Sequence, residues 1–138
     1  NLYGYQPRNL AAARVRGDWD NTKALLEKGR DTIIEEIKAS GLRGRGGAAF
    51  PAGIKWQTVL DAPGQQKYIV CNADEGDSGT FADRMVMEGD PFMLIEGMAI
   101  AGFAVGANEY VIKPFDTPEL LARIGEVLAR PGAAKQPA

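Results

Sequence analysis

The sequence contains no histidine and a single cysteine, and these two shortages remove whole classes of chemistry. Without histidine there is no Ser-His-Asp hydrolysis, no Cys-His nucleophile and no histidine-containing zinc site. Cys71 alone cannot form an intrachain disulfide, a CxxC redox pair or a self-contained iron–sulfur site, and a lone thiol fits a reducing compartment. An excess of charge of one sign is lacking as well. Sixteen basic and eighteen acidic residues leave a net charge of -2, too little to capture nucleic acid or anionic lipid by electrostatics. The longest apolar segment, residues 91–107, is short for a membrane span and carries Glu96 near its middle. No basic, apolar leader opens the chain, which reads as a cut piece. What is present is the composition of one ordinary globular domain of 138 residues, 45% of them apolar, a length that buries about 68% of its unfolded surface. Redox chemistry in such a chain rests on a bound cofactor.

The hydrophobic pattern predicts a helix-rich first half. Residues 9–16 form a short helix with Gly17 as its left-handed terminator. Residues 18–28 form a second, with Trp19, Leu25 and Leu26 near one face and acids in the first turn. Thr32 and Glu35 have capping-box spacing for a third helix, whose buried stripe is Ile33, Ile34 and Ile37 and which Gly41 closes. Residues 41–53 hold five glycines and read as a loop. Residues 67–72 are a strand, and the unbroken apolar run Tyr68-Ile69-Val70-Cys71 predicts burial on both faces. The acidic stretch 72–79 is then the loop at that strand's C-terminal end, where open α/β sheets place ligands. Helices over 80–88 and 91–107, a strand over 109–113 and a last helix from Pro118 complete the pattern. Gly97, Ala101 and Ala104 give the long helix a smooth face for packing on a sheet. The expected fold class is α/β: a helix-rich N-terminal part followed by a βαβα unit, with parallel strands near 67–72 and 109–113 and a right-handed crossover.

Two loops carry candidate chemistry. Gly44, Gly46 and Ala49 formally satisfy G-x-G-x-x-A, but that dinucleotide fingerprint needs a strand before it, and here a helix comes first. A plain Gly-rich connector is the alternative. The combination says more: exposed N–H groups in the loop, Arg43 and Arg45 within it, and Lys55 shortly after can together neutralise a phosphate. No Walker sequence is present, which disfavours nucleoside triphosphate hydrolysis. Asn72, Asp74, Glu75 and Asp77 put an amide and three carboxylates at the strand end. They can accept hydrogen bonds from ribityl or ribose hydroxyls and from flavin ring N–H groups. The same loop fails the EF-hand order, since Asp77 stands where glycine is needed, and loop acids that merely face water are the other reading. Phe50 can stack on a nicotinamide or adenine ring or belong to the core. Cys71 reads as a small buried apolar residue, and Trp19 and Trp56 as packing residues.

Three stretches of text are more specific. They are Ser-Gly-Leu-Arg-Gly-Arg-Gly-Gly-Ala-Ala-Phe-Pro-Ala-Gly-Ile-Lys-Trp from residue 40, Cys-Asn-Ala-Asp-Glu-Gly-Asp-Ser-Gly-Thr-Phe at 71–81, and Leu-Ile-Glu-Gly-Met-Ala-Ile-Ala-Gly at 94–102. In this order and spacing they closely resemble the family of NADH-oxidising flavoprotein subunits. That family holds the flavin-carrying subunit of respiratory NADH dehydrogenase (complex I) and the diaphorase subunits of NAD-dependent formate dehydrogenases and hydrogenases. The resemblance covers roughly residues 1–107. It implies FMN and NAD as cofactors and, in an active chain, a flavin-dependent NADH:acceptor oxidoreductase. By the same resemblance Gly44, Arg45, Gly46 and Gly47 cradle the FMN phosphate and flavin edge, and Lys55 contacts the flavin. Asn72, Asp74 and Glu75 bind FMN and order NADH, with Glu75 the catalytic candidate, and Phe50 stacks against NADH. Ala49 stands where many members have glycine. The implied partners are other subunits of an NADH dehydrogenase or formate dehydrogenase complex, in the cytoplasm at the face of a membrane complex, with no nucleic acid and no transmembrane segment.

After Ala107 the motif text changes. Gly-Ala-Asn-Glu-Tyr-Val-Ile-Lys-Pro-Phe-Asp-Thr-Pro-Glu-Leu-Leu-Ala-Arg-Ile from residue 106 resembles the last strand and helix of response-regulator receiver domains. In that resemblance Lys113 matches the lysine that pairs with the aspartyl phosphate and Pro114 the proline after it; a solvated strand-end lysine is the alternative for Lys113. The expectation is a partial FMN/NADH-binding segment over 1–107, a receiver-like strand and helix over 108–130 completing the same domain, and a disordered tail over 131–138. The alternatives are a non-catalytic, engineered or truncated fold chimera, and a phospho-responsive receiver with Asp74 as acceptor.

Overall fold

The computed structural model describes residues 1, 4–64, 66–76, 79–112 and 117–129. Among them the chain runs α1 (Leu10–Val15), α2 (Thr22–Glu27), α3 (Arg30–Ala39), α4 (Ala52–Asp61), β1 (Tyr68–Cys71), α5 (Ala82–Gly89), α6 (Pro91–Val105), β2 (Glu109–Ile112) and α7 (Thr117–Ala129). The strands pair in parallel, with Tyr68 opposite Glu109 and Cys71 opposite Ile112. The α/β class and the two parallel strands expected from the sequence are present, linked through α5 and α6. Asp77, Lys113, Pro114 and the tail 131–138 lie outside the described residues.

Helix α6 is the axis of the fold. It is apolar nearly all round, and a helix of that kind has to be covered on several sides. Helices α1 to α5 and both strands pack on it. Ile33 and Ile34 of α3 and Ala104 of α6 are buried together, with Leu25, Leu26, Trp56, Leu60, Ile100 and Phe103 around them. Glu96, the acid within this helix, accepts the hydroxyl of buried Thr22 on α2, which satisfies a polar pair that would otherwise weaken the core. Among the described residues no helix is long and apolar enough to cross a membrane.

Local geometry departs from the sequence pattern at several points. Gly17 and Trp19 both take positive φ, at 88° and 72°, so residues 17–21 are spent in turns and α2 begins only at Thr22. Asp18 and Asp20 therefore precede the helix, and Trp19 stands 36% exposed instead of packing. Helix α3 begins two residues before Thr32. Gly29 is its N-cap at φ 86°, without a side-chain cap, and no capping box forms. Helix α4 lies in a stretch for which the sequence shows no start signal: its N-cap is Pro51 and its first turn holds no acid.

The sheet is pinned by Asn108. Its N–H donates to the Lys67 carbonyl at 2.8 Å and its Oδ1 accepts the Lys67 N–H at 3.0 Å. Tyr110 lies against Gly102 of α6, where an added Cβ would fall within 2.5 Å of the ring. The close approach expected around Gly97 is thus made at Gly102; Gly97 is exposed and a Cβ there meets nothing within 4 Å. Ile69, the partner of Tyr110, and Cys71 share the α6 face, while Val70 alternates to the other face and stays 49% exposed. The strand is therefore not buried on both faces. Helix α6 closes on Gly106 at φ 71°, with the Ala107 N–H bonded to the Gly102 carbonyl at 2.7 Å. This Schellman closure turns the chain straight into β2.

Candidate functional site

The glycine loop is a closed tongue. Arg43 and Pro51 form an antiparallel bridge, the Ala52 N–H donates to the Leu42 carbonyl at 2.8 Å, and the Gly44 N–H donates to the Phe50 carbonyl at 2.9 Å. The Arg43 guanidinium adds a tie to the Ala49 carbonyl at 3.0 Å. Beyond this neck the residues up to Phe50 are all exposed. At Gly46 and Gly47 an added Cβ would meet nothing within 4 Å, and Gly47 sits at φ 112°, so the backbone there can be approached closely. The side chains of Arg45 and Lys55 have no hydrogen-bond or ion-pair partner among the described residues, and Arg43 has no acidic one. The neck leads directly into α4, whose Pro51 cap provides no side-chain acceptor for the first N–H groups. Bare glycine backbone at Gly46 and Gly47 and cations without an acidic partner among the described residues can donate to a phosphate. These residues fit a phosphate-bearing cofactor.

The tongue is held in place from behind. Gly53, in the first turn of α4, lies so close to α3 that a Cβ would come within 2.6 Å of Lys38 Cγ, 2.7 Å of its N and 2.8 Å of its Cα. At the far end of α4, Lys67 Nζ donates to the Leu60 carbonyl at 2.5 Å. Within the tongue Ala49 takes φ 50°, a left-handed conformation that costs an L-residue about 1–2 kcal/mol. Ala49→Gly is expected to stabilise the chain by about 0.5 kcal/mol once the greater freedom of unfolded glycine is counted. A lower urea midpoint in the variant would show that this conformation is not enforced.

The second loop leaves the C-terminal end of β1. Asn72 and Asp74 are exposed, and their side chains have no partner among the described residues. Glu75 is half-buried and engaged: its Oε1 accepts the Asp83 N–H at 2.7 Å. That N–H belongs to the first turn of α5, a helix whose own N-cap residue, Phe81 at φ 53°, makes no side-chain capping bond. The sequence groups Glu75 with the ligand-facing acids but carries no sign of this bond eight residues along. Burial, and secondarily the Asp83 carboxylate, push the Cys71 thiol up from its ordinary value, which agrees with a packing role and not with a reactive thiolate. Phe50 is 52% exposed and is not a core residue. Both loops are carried by the same helix, since α4 and β1 each pack on α6. Among the described residues no hydrogen bond or ion pair joins the tongue to Asn72, Asp74 or Glu75.

Comparison with known proteins points the same way. The F subunit of the NADH-quinone oxidoreductase of Rickettsia felis is 53% identical over 112 residues, covering 81% of this chain and 26% of that protein. The F 1 subunit of the same enzyme from Rhizobium meliloti is 55% identical over 109 residues, covering 78% and 25%. This chain thus spans about a quarter of the length of the curated relatives it matches. Among solved structures, an NAD+-reducing nickel–iron hydrogenase in the H2-reduced state matches with a TM-score of 0.60 at 34% identity, over 78% of this chain and 21% of that one. The Nuo51 FMN-binding domain family matches residues 37–134, a span that holds both loops and runs through β2 and α7, past the end of the motif text at Ala107. With more than half of its residues inside that match, the chain belongs to the Nuo51 FMN-binding domain family.

Proposed function

We propose that the chain is the part of an NADH-oxidising flavoprotein that holds FMN and receives NADH. The observation that carries this reading is the tongue at residues 44–50: open backbone at Gly46 and Gly47, with Arg43, Arg45 and Lys55 free of acidic partners among the described residues, at the start of α4. An FMN phosphate is an anion rich in acceptor oxygens, and these groups donate to it. Asn72 and Asp74 supply acceptors at the end of β1 for ribityl hydroxyls and flavin N–H groups. Glu75 is the carboxylate that orders NADH in this reading, and exposed Phe50 offers a face for stacking on the nicotinamide. When bound, FMN accepts the hydride of NADH; the chain binds and orients both.

The relatives support a wider setting. Their names place them in an NADH-quinone oxidoreductase and an NAD+-reducing hydrogenase, which supports the other subunits of such a complex as partners; a complex of the respiratory or formate dehydrogenase kind at the cytoplasmic face of a membrane is part of the proposal. Residues 1–107 form the cofactor-binding segment in this reading, and 108–130 close the same domain, as the pairing of β2 with β1 supports. A second reading, a non-catalytic chimera closed by a receiver-like strand and helix, rests on the change of motif text after Ala107.

An FMN titration followed by flavin fluorescence separates the two. Saturable quenching is expected, weakened about tenfold by Lys55→Ala, the loss of one charge-assisted contact, and about fivefold by Asp74→Ala. A chain that leaves flavin fluorescence unchanged leaves the second reading standing.

A further inference from the structure

We propose that Glu75 is a positioning residue: its carboxylate caps α5 and through that bond holds the loop that presents Asn72 and Asp74 to FMN. The inference rests on the reading of this loop as flavin-facing and assigns Glu75 a role that the reading alone does not contain. Three observations carry it. Glu75 Oε1 accepts the Asp83 N–H at 2.7 Å, so one of its oxygens is committed to a backbone donor of α5. Among the described residues helix α5 has no other side-chain cap, because Phe81 fills the N-cap position without one; a carboxylate there satisfies an N–H of the first turn and is favoured by the helix dipole. Asn72 and Asp74, on the same loop, are exposed and without side-chain partners among the described residues. The loop is therefore anchored at the β1 end by the sheet and at Glu75 by α5, with its two unengaged acceptors between the anchors.

The test is FMN titration of the full chain by fluorescence, with amide exchange at Asp83 as a readout that needs no cofactor. Glu75→Gln keeps the acceptor and loses the charge, whereas Glu75→Ala loses both. Asp83→Pro deletes the donor, since proline has no N–H and is tolerated in a first helical turn; Asp83→Ala, which removes the same carboxylate but keeps the N–H, is its reference. Expected are a loss of FMN affinity of about fivefold in Glu75→Ala, recovered for the most part in Glu75→Gln, and a similar loss in Asp83→Pro relative to Asp83→Ala. Protection of the Asp83 amide is expected to persist in Glu75→Gln and vanish in Glu75→Ala. Equal losses in the Gln and Ala variants, with Asp83→Pro silent, would mean that Glu75 meets FMN through its own charge, overturning the positioning role while leaving the site in place. Should Asp83→Pro not fold, as judged by circular dichroism, the Gln and Ala pair decides alone. Absence of FMN binding by the unsubstituted chain removes the site and this inference together.

Discussion

Gly53→Ala is expected to destabilise the chain by about 3 kcal/mol, at the upper end of what overpacking costs. The added methyl would meet Lys38 N and Cα at 2.7 and 2.8 Å as well as Cγ at 2.6 Å. A flexible side-chain end can swing away, but two of these atoms belong to the backbone of α3, so the helices themselves have to part. Parting them opens the contact between Ile33, Ile34 and Trp56 in the core and shifts the neck of the glycine tongue, which begins α4. The variant should therefore show a reduced urea midpoint and a weakened FMN titration together. A loss below about 1 kcal/mol would show that α3 and α4 separate freely and that this packing does not fix the tongue.

Asp90→Ala should be about as damaging, again by about 3 kcal/mol, because it breaks a buried ion pair and leaves its cation behind. Asp90 is 3% exposed and Arg16 reaches its Oδ1 at 2.8 Å. Among the described residues the Arg16 Nε is already buried without a partner, and the remaining acid of Arg16 is Asp18 at 3.2 Å. Burial alone would raise the Asp90 pKa, and contacts that include Arg16 and the Met93 N–H hold the carboxyl below the usual range. Its folded pKa thus lies below the unfolded value of about 3.9. The stability it contributes is present above that value and is lost as pH falls through the folded pKa. The gap in denaturation midpoint between the parent and Asp90→Asn should accordingly be widest near pH 7 and shrink below about pH 4. A gap unchanged at acid pH would show that the charge is not its source.

The features legible in the sequence are those that repeat or run consecutively. The long apolar stretch marks α6, the run Tyr68 to Cys71 marks β1, and the text from Glu109 marks its parallel partner. The tongue is legible because its glycines and its cations are neighbours along the chain. What escapes depends on contacts between distant residues. Helix α4 carries none of the usual start signals and is fixed by Gly53 seating on Lys38. The smooth stripe of α6 points to Gly97, yet the contact is made at Gly102, because the position of Tyr110 decides which small residue is used. Trp19 has the size of a buried residue, but its positive φ puts it in a turn. Glu75 is legible as an acid near a strand end, and its bond to α5 is not, since no periodicity marks a cap supplied from a preceding loop.

The parallel pairing also bears on the order of folding. Lys67 and Asn108, which open the ladder, lie 41 residues apart, whereas α3 and α4 meet across one short loop. Drawing the more distant ends together costs more chain entropy, so the helical half, with its glycine tongue, is expected to assemble ahead of the sheet. Asn72 and Asp74 sit at the end of β1, so the half of the site that would read the flavin is expected to take shape last during folding.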